Sequence, residues 1–376
     1  MSATPSPVRL EALDAWRGIC ASLVALEHLS IQSVLHENRL VHFGYRFVDF
    51  FFVLSGFVIA HAYGQRLRDR PNEIFQFLHR RIGRLWPLHI TILAAFIAFE
   101  IGVFVAGKGG ISFGREAFTE RHTLASIPHN VLLVQAWNTL DHSTWNVPSW
   151  SISTEIVAYA VFGVLCVLLR DRRWVVLAAI VLMTGSLYMV MYESPEGMSS
   201  TYQNGVFRCI YGFMMGALAR QVWERWKWRA GTIAEIAIVL LVLGSVIFLP
   251  GGQVAVLVTP VFAFVVWAFA SADGAVSRFL RRPAIQKLGA WSYSIYMVHA
   301  LIVLIVLAGA VLVTKLGFPI FARVDDVATI VGPRWATELI AVLYLAIVIA
   351  VARFTYERVE LPGQRLWARF GPRARR

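Results

Sequence analysis

The chain has 376 residues, of which 57% are hydrophobic and only 15% are charged. With a mean hydropathy of +0.61, this composition excludes an ordinary soluble domain and indicates a protein with several membrane spans. The net charge of +12 would also suit a nucleic-acid-binding protein, so the positions of the basic residues must distinguish the two classes. The cysteines lie in apolar stretches, without the spacing of a metal site or a disulfide framework.

Ten apolar segments predict an all-α, multi-span membrane helix bundle. The predicted spans are 14–33, 47–63, 87–106, 148–169, 174–192, 205–220, 232–249, 253–271, 291–313 and 335–355. We predict one membrane domain over residues 1–376, with no appended hydrolase-like domain. Its extramembrane parts are a cytoplasmic N-terminal segment (1–13), a long outer loop (107–147) and a basic cytoplasmic tail (356–376). The long loop is predicted to pack over the outer face as a lid or acceptor surface, and disorder is the alternative.

The basic residues are unevenly divided between the two sides of the predicted bundle. With the N-terminus inside, the inner segments carry 25 lysines and arginines and the outer loops carry 8. The positive-inside rule therefore places both termini in the cytoplasm. This division accounts for the net charge with the lipid bilayer as partner, so no nucleic acid is predicted.

The first span carries Arg17 and His28, which lie eleven positions apart. On a helix this spacing brings both side chains to nearly one face, about 16 Å apart along the axis. Ionisable groups inside hydrocarbon are costly and are often functional, so we predict that both residues belong to the site. The alternative is that Arg17 extends to the interface while His28 bonds a neighbouring carbonyl.

Two carboxylates are candidates to support His28. Asp49 lies at the outer edge of the second span, at a depth comparable to His28, where a carboxylate would orient the imidazole; a helix cap is the alternative. Glu155 lies roughly 10 Å below the outer surface in the fourth span. It should pair with His28, Arg208 or a hydroxyl, or stay protonated.

The cytoplasmic flank of the third span carries Arg81 and Arg84. Their spacing of three residues points both side chains the same way on a helix and suits phosphate oxygens, although orientation alone also requires basic residues here. Since Arg17 lies on the same side, three guanidinium groups are predicted to surround a cytosolic phosphorylated donor. No cluster has the spacing of metal ligands, so no metal is predicted.

Three further positions within spans are predicted to have structural rather than catalytic roles. Ser55 and Gly56 are predicted to permit close helix packing rather than to supply a nucleophile. His299, in the ninth span, is predicted to be a hydrogen-bonded structural histidine.

Five motifs in chain order resemble those of the acyltransferase family three, integral membrane proteins that transfer acyl groups, most often acetyl, to extracytoplasmic sugars. The motifs are Leu13-Asp14-Ala15-Trp16-Arg17-Gly18 through His28, Val48 to Phe57, Arg81-Ile82-Gly83-Arg84, Trp150 to Glu155, and Ser292 to His299. The resemblance implies that His28 is the catalytic histidine, Arg17 its companion, and Arg81 with Arg84 the pair that engages the acyl-coenzyme A donor, acetyl-CoA. It also implies a multi-pass protein of the bacterial cytoplasmic membrane that modifies cell-envelope carbohydrate or glycolipid.

Residues and resemblance together predict an O-acyltransferase that uses both faces of the membrane. The donor binds at the inner face, and His28 transfers the acyl group to a hydroxyl arriving from outside. His28 acts either as general base, with Glu155 or Asp49 stabilising the imidazolium, or as a transient acyl carrier, and the sequence does not separate the two. The alternatives are a proton-coupled transporter and a membrane acyltransferase acting on a lipid or secondary metabolite.

Overall fold

A computed structural model describes residues 10–194 and 196–371, and its architecture is an all-α bundle with one short antiparallel strand pair. All ten predicted spans are helical in it. The helices and strands are α1 Glu11–Glu27, α2 Val34–Glu37, α3 Arg39–His42, α4 Phe47–Asp69, α5 Ile74–Lys108, α6 Ile127–Val131, α7 Trp150–Leu169, α8 Arg172–Tyr188, α9 Gly205–Arg225, α10 Thr232–Phe248, α11 Val258–Phe269, α12 Ala275–Leu280, α13 Pro283–Ala290, α14 Ser292–Lys315, β1 Phe321–Val324, β2 Val327–Ile330, α15 Arg334–Thr355 and α16 Leu361–Arg369.

Within the described residues, seven helical segments are long and apolar enough to cross a membrane. They contain α4, α5, α7, α8, α11, α14 and α15. The other three predicted spans form α1, α9 and α10. Helices α1 and α10 have 17 residues each, and α9 carries two arginines in its predicted span that lower its hydropathy. The multi-span bundle is confirmed, with seven of the ten predicted spans meeting the length and apolarity of a membrane helix.

Helix α1 ends earlier than predicted, at Glu27 rather than near residue 33. The chain beyond it pairs with β2: the Ile330 amide donates to the Ser30 carbonyl at 3.0 Å, and the Gln32 amide donates to the Ile330 carbonyl at 2.9 Å. Because the Ser30 carbonyl and the Gln32 amide are bonded to Ile330, they are not available for the hydrogen bonds that would continue α1. His28 consequently occupies the C-cap position of α1.

Helices α5 and α15 extend past their predicted cytoplasmic ends. Helix α5 has 35 residues and is about 52 Å long, beginning thirteen residues before the predicted span. Helix α15 continues through a π-helical turn, Tyr356–Glu360, into α16. The predicted cytoplasmic tail therefore begins as ordered helix, while residues 372–376, and 1–9 of the N-terminal segment, lie outside the described residues.

The long segment after α5 turns back and packs along that helix. Arg115 pairs with the buried carboxylate of Glu100, whose Oε2 also accepts from the Phe118 amide at 3.0 Å. Farther along, the indole of Trp86 donates to the Val131 carbonyl at 3.0 Å. Residue 86 is about 33 Å from the end of α5 at residue 108. The segment is therefore ordered and bonded to α5, and its role as a lid or acceptor surface stays a prediction.

Helices α4 and α9 approach each other at two glycines. A Cβ added to Gly56 would lie 1.9 Å from the Phe213 carbonyl oxygen, and one added to Gly216 would lie 1.8 Å from that of Val53. Only glycine permits this backbone separation. The packing role predicted for Gly56 is confirmed, and the close approach brings α4 and α9 near enough for a buried ion pair.

Candidate active site

Helices α1, α4, α5, α7 and α14 enclose a cavity of about 250 Å³. Four of the six predicted site residues line it: Arg17, Arg81, Arg84 and Glu155. The remaining wall is mostly apolar and aromatic. We call this space the arginine-lined cavity. The three arginines and Glu155 thus share one cavity, and the role of the arginines toward a donor stays a prediction.

The guanidinium groups in this cavity retain unused hydrogen-bonding capacity. Arg81 donates from Nη2 to the Tyr63 hydroxyl at 3.0 Å, while its buried Nε has no partner among the described residues. Arg17 Nη1 lies 3.5 Å from a carboxylate oxygen of Asp14. Within residues 10–194 and 196–371, Arg84 forms no side-chain hydrogen bond. Such donors suit a ligand that carries phosphate or carboxylate oxygens.

Glu155 is held by hydroxyl groups rather than by the predicted histidine. Its Oε1 accepts from the Tyr159 hydroxyl at 2.6 Å, one turn along α7, and from the Ser55 hydroxyl of α4. Of the partners predicted for Glu155, the structure shows hydroxyl groups, and the contact with His28 is not formed. Ser55, predicted only to assist packing, lies in the cavity wall as a partner of this carboxylate.

His28 lies at the end of α1, outside the cavity wall. Its Nδ1 is 2.7 Å from Glu27 Oε2 and 2.9 Å from the Val24 carbonyl oxygen. Both neighbours are acceptors, so this geometry places the proton on Nδ1 and leaves Nε2 as the basic nitrogen. The side chain is 30% exposed.

Two aromatic rings connect the cavity with His28. Tyr296 lines the cavity, and its ring centre is 5.7 Å from that of His299 on the same helix. The His299 ring in turn meets His28 edge-on at 4.8 Å. His299 is completely buried, and its Nε2 has no partner in the part of the chain that the structure describes. Tyr296 and His299 therefore link the edge of the arginine-lined cavity to His28 through ring contacts.

Asp49 is paired with Arg208 of α9 and not with His28. Arg208 Nε donates to Asp49 Oδ1 at 2.8 Å and Nη2 donates to Oδ2 at 3.0 Å, in a bidentate pair that is almost fully buried. The same guanidinium lies 5.2 Å from the Trp150 ring centre. The predicted Asp49 to His28 contact is not formed, because a buried guanidinium requires a carboxylate partner and Asp49 supplies it.

This combination of a cationic cavity and an oriented histidine agrees with the comparison with known proteins. Residues 10–356 match a protein family described as an acyltransferase domain. The chain belongs to the acyltransferase family three. Over 329 residues it is 26% identical to the acyltransferase MdmB of Streptomyces mycarofaciens, covering 80% of both chains. Over 172 residues it is 34% identical to protein 2 in the picA locus of Rhizobium radiobacter, covering 43% of this chain and 85% of that protein. No solved structure matches.

In this family-three acyltransferase, the carboxylate beside the histidine was missed by sequence reasoning. Adjacent residues on a helix do not face each other, so the pair Glu27-His28 gives no signal while both are assigned to a helix. In the structure the contact forms all the same, with His28 Nδ1 2.7 Å from Glu27 Oε2. Tyr159 was also missed, although a tyrosine four residues after Glu155 is a recognisable helical pairing.

Proposed function

We propose that this membrane acyltransferase moves an acyl group, most simply acetyl, from cytosolic acyl-coenzyme A to a hydroxyl of an extracytoplasmic carbohydrate or glycolipid. The observation that carries the proposal is the convergence of Arg17, Arg81 and Arg84 on one cavity. The excess of basic residues in the inner segments supports cytosolic entry of the donor. The proposed location is the bacterial cytoplasmic membrane, where such a protein would modify the cell envelope.

The residues of the arginine-lined cavity fit one end of coenzyme A. The unpartnered Nε of Arg81 is a donor that requires an acceptor, and a phosphate oxygen would satisfy it. At about 250 Å³, the cavity is smaller than the roughly 300 Å³ at which pockets for drug-sized ligands begin. We therefore propose that the pantetheine arm fills the cavity against Leu54 and Val58, with the thioester at Tyr296 on the side of His28, the phosphates at the arginines and the adenosine outside.

His28 is the proposed catalytic residue, and Glu27 its orienting partner. As a general base, Nε2 takes the proton of the acceptor hydroxyl while that oxygen attacks the thioester carbonyl; the C–O bond forms, the C–S bond breaks, and the thiolate gains a proton. As an acyl carrier, Nε2 itself attacks the carbonyl, the C–S bond breaks and coenzyme A leaves as its thiolate. The acceptor oxygen then attacks the acyl-imidazole, the C–N bond breaks, and the hydroxyl proton passes to Nε2 and on to the thiolate. In both routes Glu27 stabilises the imidazolium, the role predicted for Asp49 or Glu155.

The two other predicted carboxylates receive different proposed roles. Glu155 lies in the arginine-lined cavity, so we propose that it acts at the thioester end, where Tyr159 and Ser55 orient it. Asp49 supports the site through Arg208, which holds α9 against α4.

Replacing Glu155 with glutamine is expected to lower kcat by about 10²-fold, because the amide keeps the size of the side chain but cannot exchange a proton with the leaving thiol. The KM for acetyl-CoA should change little. The measurement is steady-state release of coenzyme A, with the exposed Glu37→Gln as control. Equal turnover in both variants would remove Glu155 from the reaction.

Replacing both Arg81 and Arg84 with alanine is expected to raise the Kd for acetyl-CoA by about 10²-fold, since a hydrogen bond to a charged group contributes roughly 1.5 to 3 kcal/mol. The matched control is the double change Arg68→Ala and Arg70→Ala, which removes the same charge from the same cytoplasmic end. Binding would be measured by calorimetry on protein in lipid nanodiscs. If both double variants bind the donor as tightly as the unaltered protein, the assignment of the cavity fails.

A further inference from the structure

Helix α16 lies beyond the part of the chain that matches the family, which ends at residue 356. It follows α15 through the π-helical turn and packs against the cytoplasmic half of α5. A change of helical repeat redirects the chain, so α16 need not continue the axis of α15. Helix α16 therefore makes its own contacts with α5, separate from the packing of α15.

Trp367 is the main contact of α16 with α5. Its indole donates to the His79 carbonyl at 3.0 Å, and the His79 Nε2 lies 3.2 Å from the Trp367 carbonyl oxygen. The two rings stack with centres 5.3 Å apart, and Trp86 packs on the indole at 5.4 Å. At Gly83 an added Cβ would lie 2.0 Å from Trp367 Cδ1. The indole therefore fills a notch that exists only because residue 83 has no side chain.

The notch lies on the side of α5 opposite the two donor-site arginines. At about 100° per residue, His79, Gly83 and Trp86 form one stripe along the helix. Arg81 and Arg84 form another, roughly 160° around the axis. The packing of Trp367 against the first stripe therefore constrains the rotation of α5, and with it the direction in which Arg81 and Arg84 point.

The start of α16 is anchored to α14, another wall of the cavity. The buried carboxylate of Glu360, just before α16, accepts from the Ser294 hydroxyl at 2.8 Å. The neighbouring Tyr293 lines the cavity and donates to the Leu85 carbonyl at 2.6 Å. Helix α16 thus connects α14 and α5, which both contribute side chains to the arginine-lined cavity.

We propose that α16 is a positioning element for the donor site: Trp367, seated at Gly83, sets the rotation of α5 that directs Arg81 and Arg84 into the arginine-lined cavity. This inference rests on the proposed function only in taking acyl-coenzyme A as the ligand of the two arginines. Trp367 touches no substrate, so its loss changes donor binding and leaves the chemical step unchanged.

The test compares Trp367→Ala with Gly83→Ala, which fills the notch with a methyl group and displaces an indole that is still present. Both variants are expected to raise the KM for acetyl-CoA by about tenfold, with kcat within about twofold of the unaltered protein, because misplaced binding groups weaken donor binding. Alanine favours helix over glycine by about 1 kcal/mol, so Gly83→Ala does not weaken α5 itself. The controls are Leu366→Ala, the exposed neighbour of Trp367, and Gly102→Ala on α5, where an added Cβ meets nothing within 4 Å.

Thermal unfolding in detergent and the Arg81, Arg84 double variant complete the experiment. A lower Tm with unchanged KM in Trp367→Ala and Gly83→Ala would overturn the inference, since α16 would then act only on stability. If the double arginine variant weakens donor binding while these two do not, the inference fails and the proposed function stands. If none of the three weakens donor binding, the proposed function fails and the inference fails with it.

Discussion

Replacing His28 with alanine is expected to lower the rate of acyl transfer by about 10²- to 10⁴-fold while the Kd for acetyl-CoA stays unchanged. The imidazole carries the chemistry in either proposed route, but it does not line the arginine-lined cavity in which the donor binds. Radiolabelled acetyl-CoA would be supplied to the purified protein in lipid, and release of coenzyme A would be measured beside donor binding.

The control for this change is His42→Ala, an exposed histidine of α3 that belongs to neither site. Glu27→Gln should give an intermediate loss, because the amide keeps the size of the side chain beside Nδ1 but carries no charge to stabilise an imidazolium. Rapid quenching in a single turnover separates the two routes: label retained on the protein, and absent in His28→Ala, indicates the acyl carrier. Full transfer by His28→Ala would contradict the assignment of the catalytic residue.

Replacing Asp49 with alanine is expected to destabilise the protein by about 3 to 5 kcal/mol, the usual cost of leaving a buried charge unpaired. The bidentate contact of Arg208 with Asp49 joins α4 and α9 about one helical turn from the close backbone contact of Val53 with Gly216. The remaining Nη1 of Arg208 donates to the Ser200 carbonyl at 3.1 Å, which does not neutralise its charge. Thermal unfolding of the detergent-solubilised protein measures the loss.

The double variant Asp49→Ala with Arg208→Met should be more stable than Asp49→Ala alone, because it leaves no unpaired charge. The matched control is Glu357→Ala, which breaks a pair with Arg353 whose side chains are about half exposed or more and should cost at most about 1 kcal/mol. A normally stable Asp49→Ala protein that cannot transfer the acyl group would instead support the catalytic role first predicted for Asp49.

The helical spans and the arginine group followed directly from the sequence. Apolar length marks membrane helices because hydrocarbon tolerates few polar side chains, and the loop arginines report orientation by the same physics. The i,i+3 spacing of Arg81 and Arg84 determines their common face without tertiary information. Arg17 could be grouped with these two because all three residues are predicted to lie at the cytoplasmic ends of their helices.

Partners of buried charges were harder to predict because they come from distant elements. Asp49 and Arg208 are 159 positions apart, and nothing in either local sequence indicates the other. The end of α1 is followed by bonds of Ser30 and Gln32 to Ile330, a residue some 300 positions away. Sequence periodicity is local and carries no information on such contacts.

The packing of the long segment after α5 and of α16 depends on specific side chains that read as ordinary loop or tail composition. In the sequence, Arg115 is an ordinary basic loop residue. The structure shows that it pairs with Glu100, a carboxylate inside a predicted span that requires a partner. In the sequence, Gly83 is only a glycine in a basic flank. The structure shows that the Trp367 indole occupies the space where a side chain of residue 83 would lie.

The most direct test of acyl transfer across the membrane uses membrane vesicles whose cytoplasmic face points outward, with radiolabelled acetyl-CoA added to the outside. We expect protein-dependent label on carbohydrate or glycolipid inside the vesicles, enclosed until detergent is added, absent with His28→Ala and strongly reduced with the Arg81, Arg84 double variant. Label that appears only on the outer surface, or equally in all three proteins, would contradict acyl transfer across the membrane through His28.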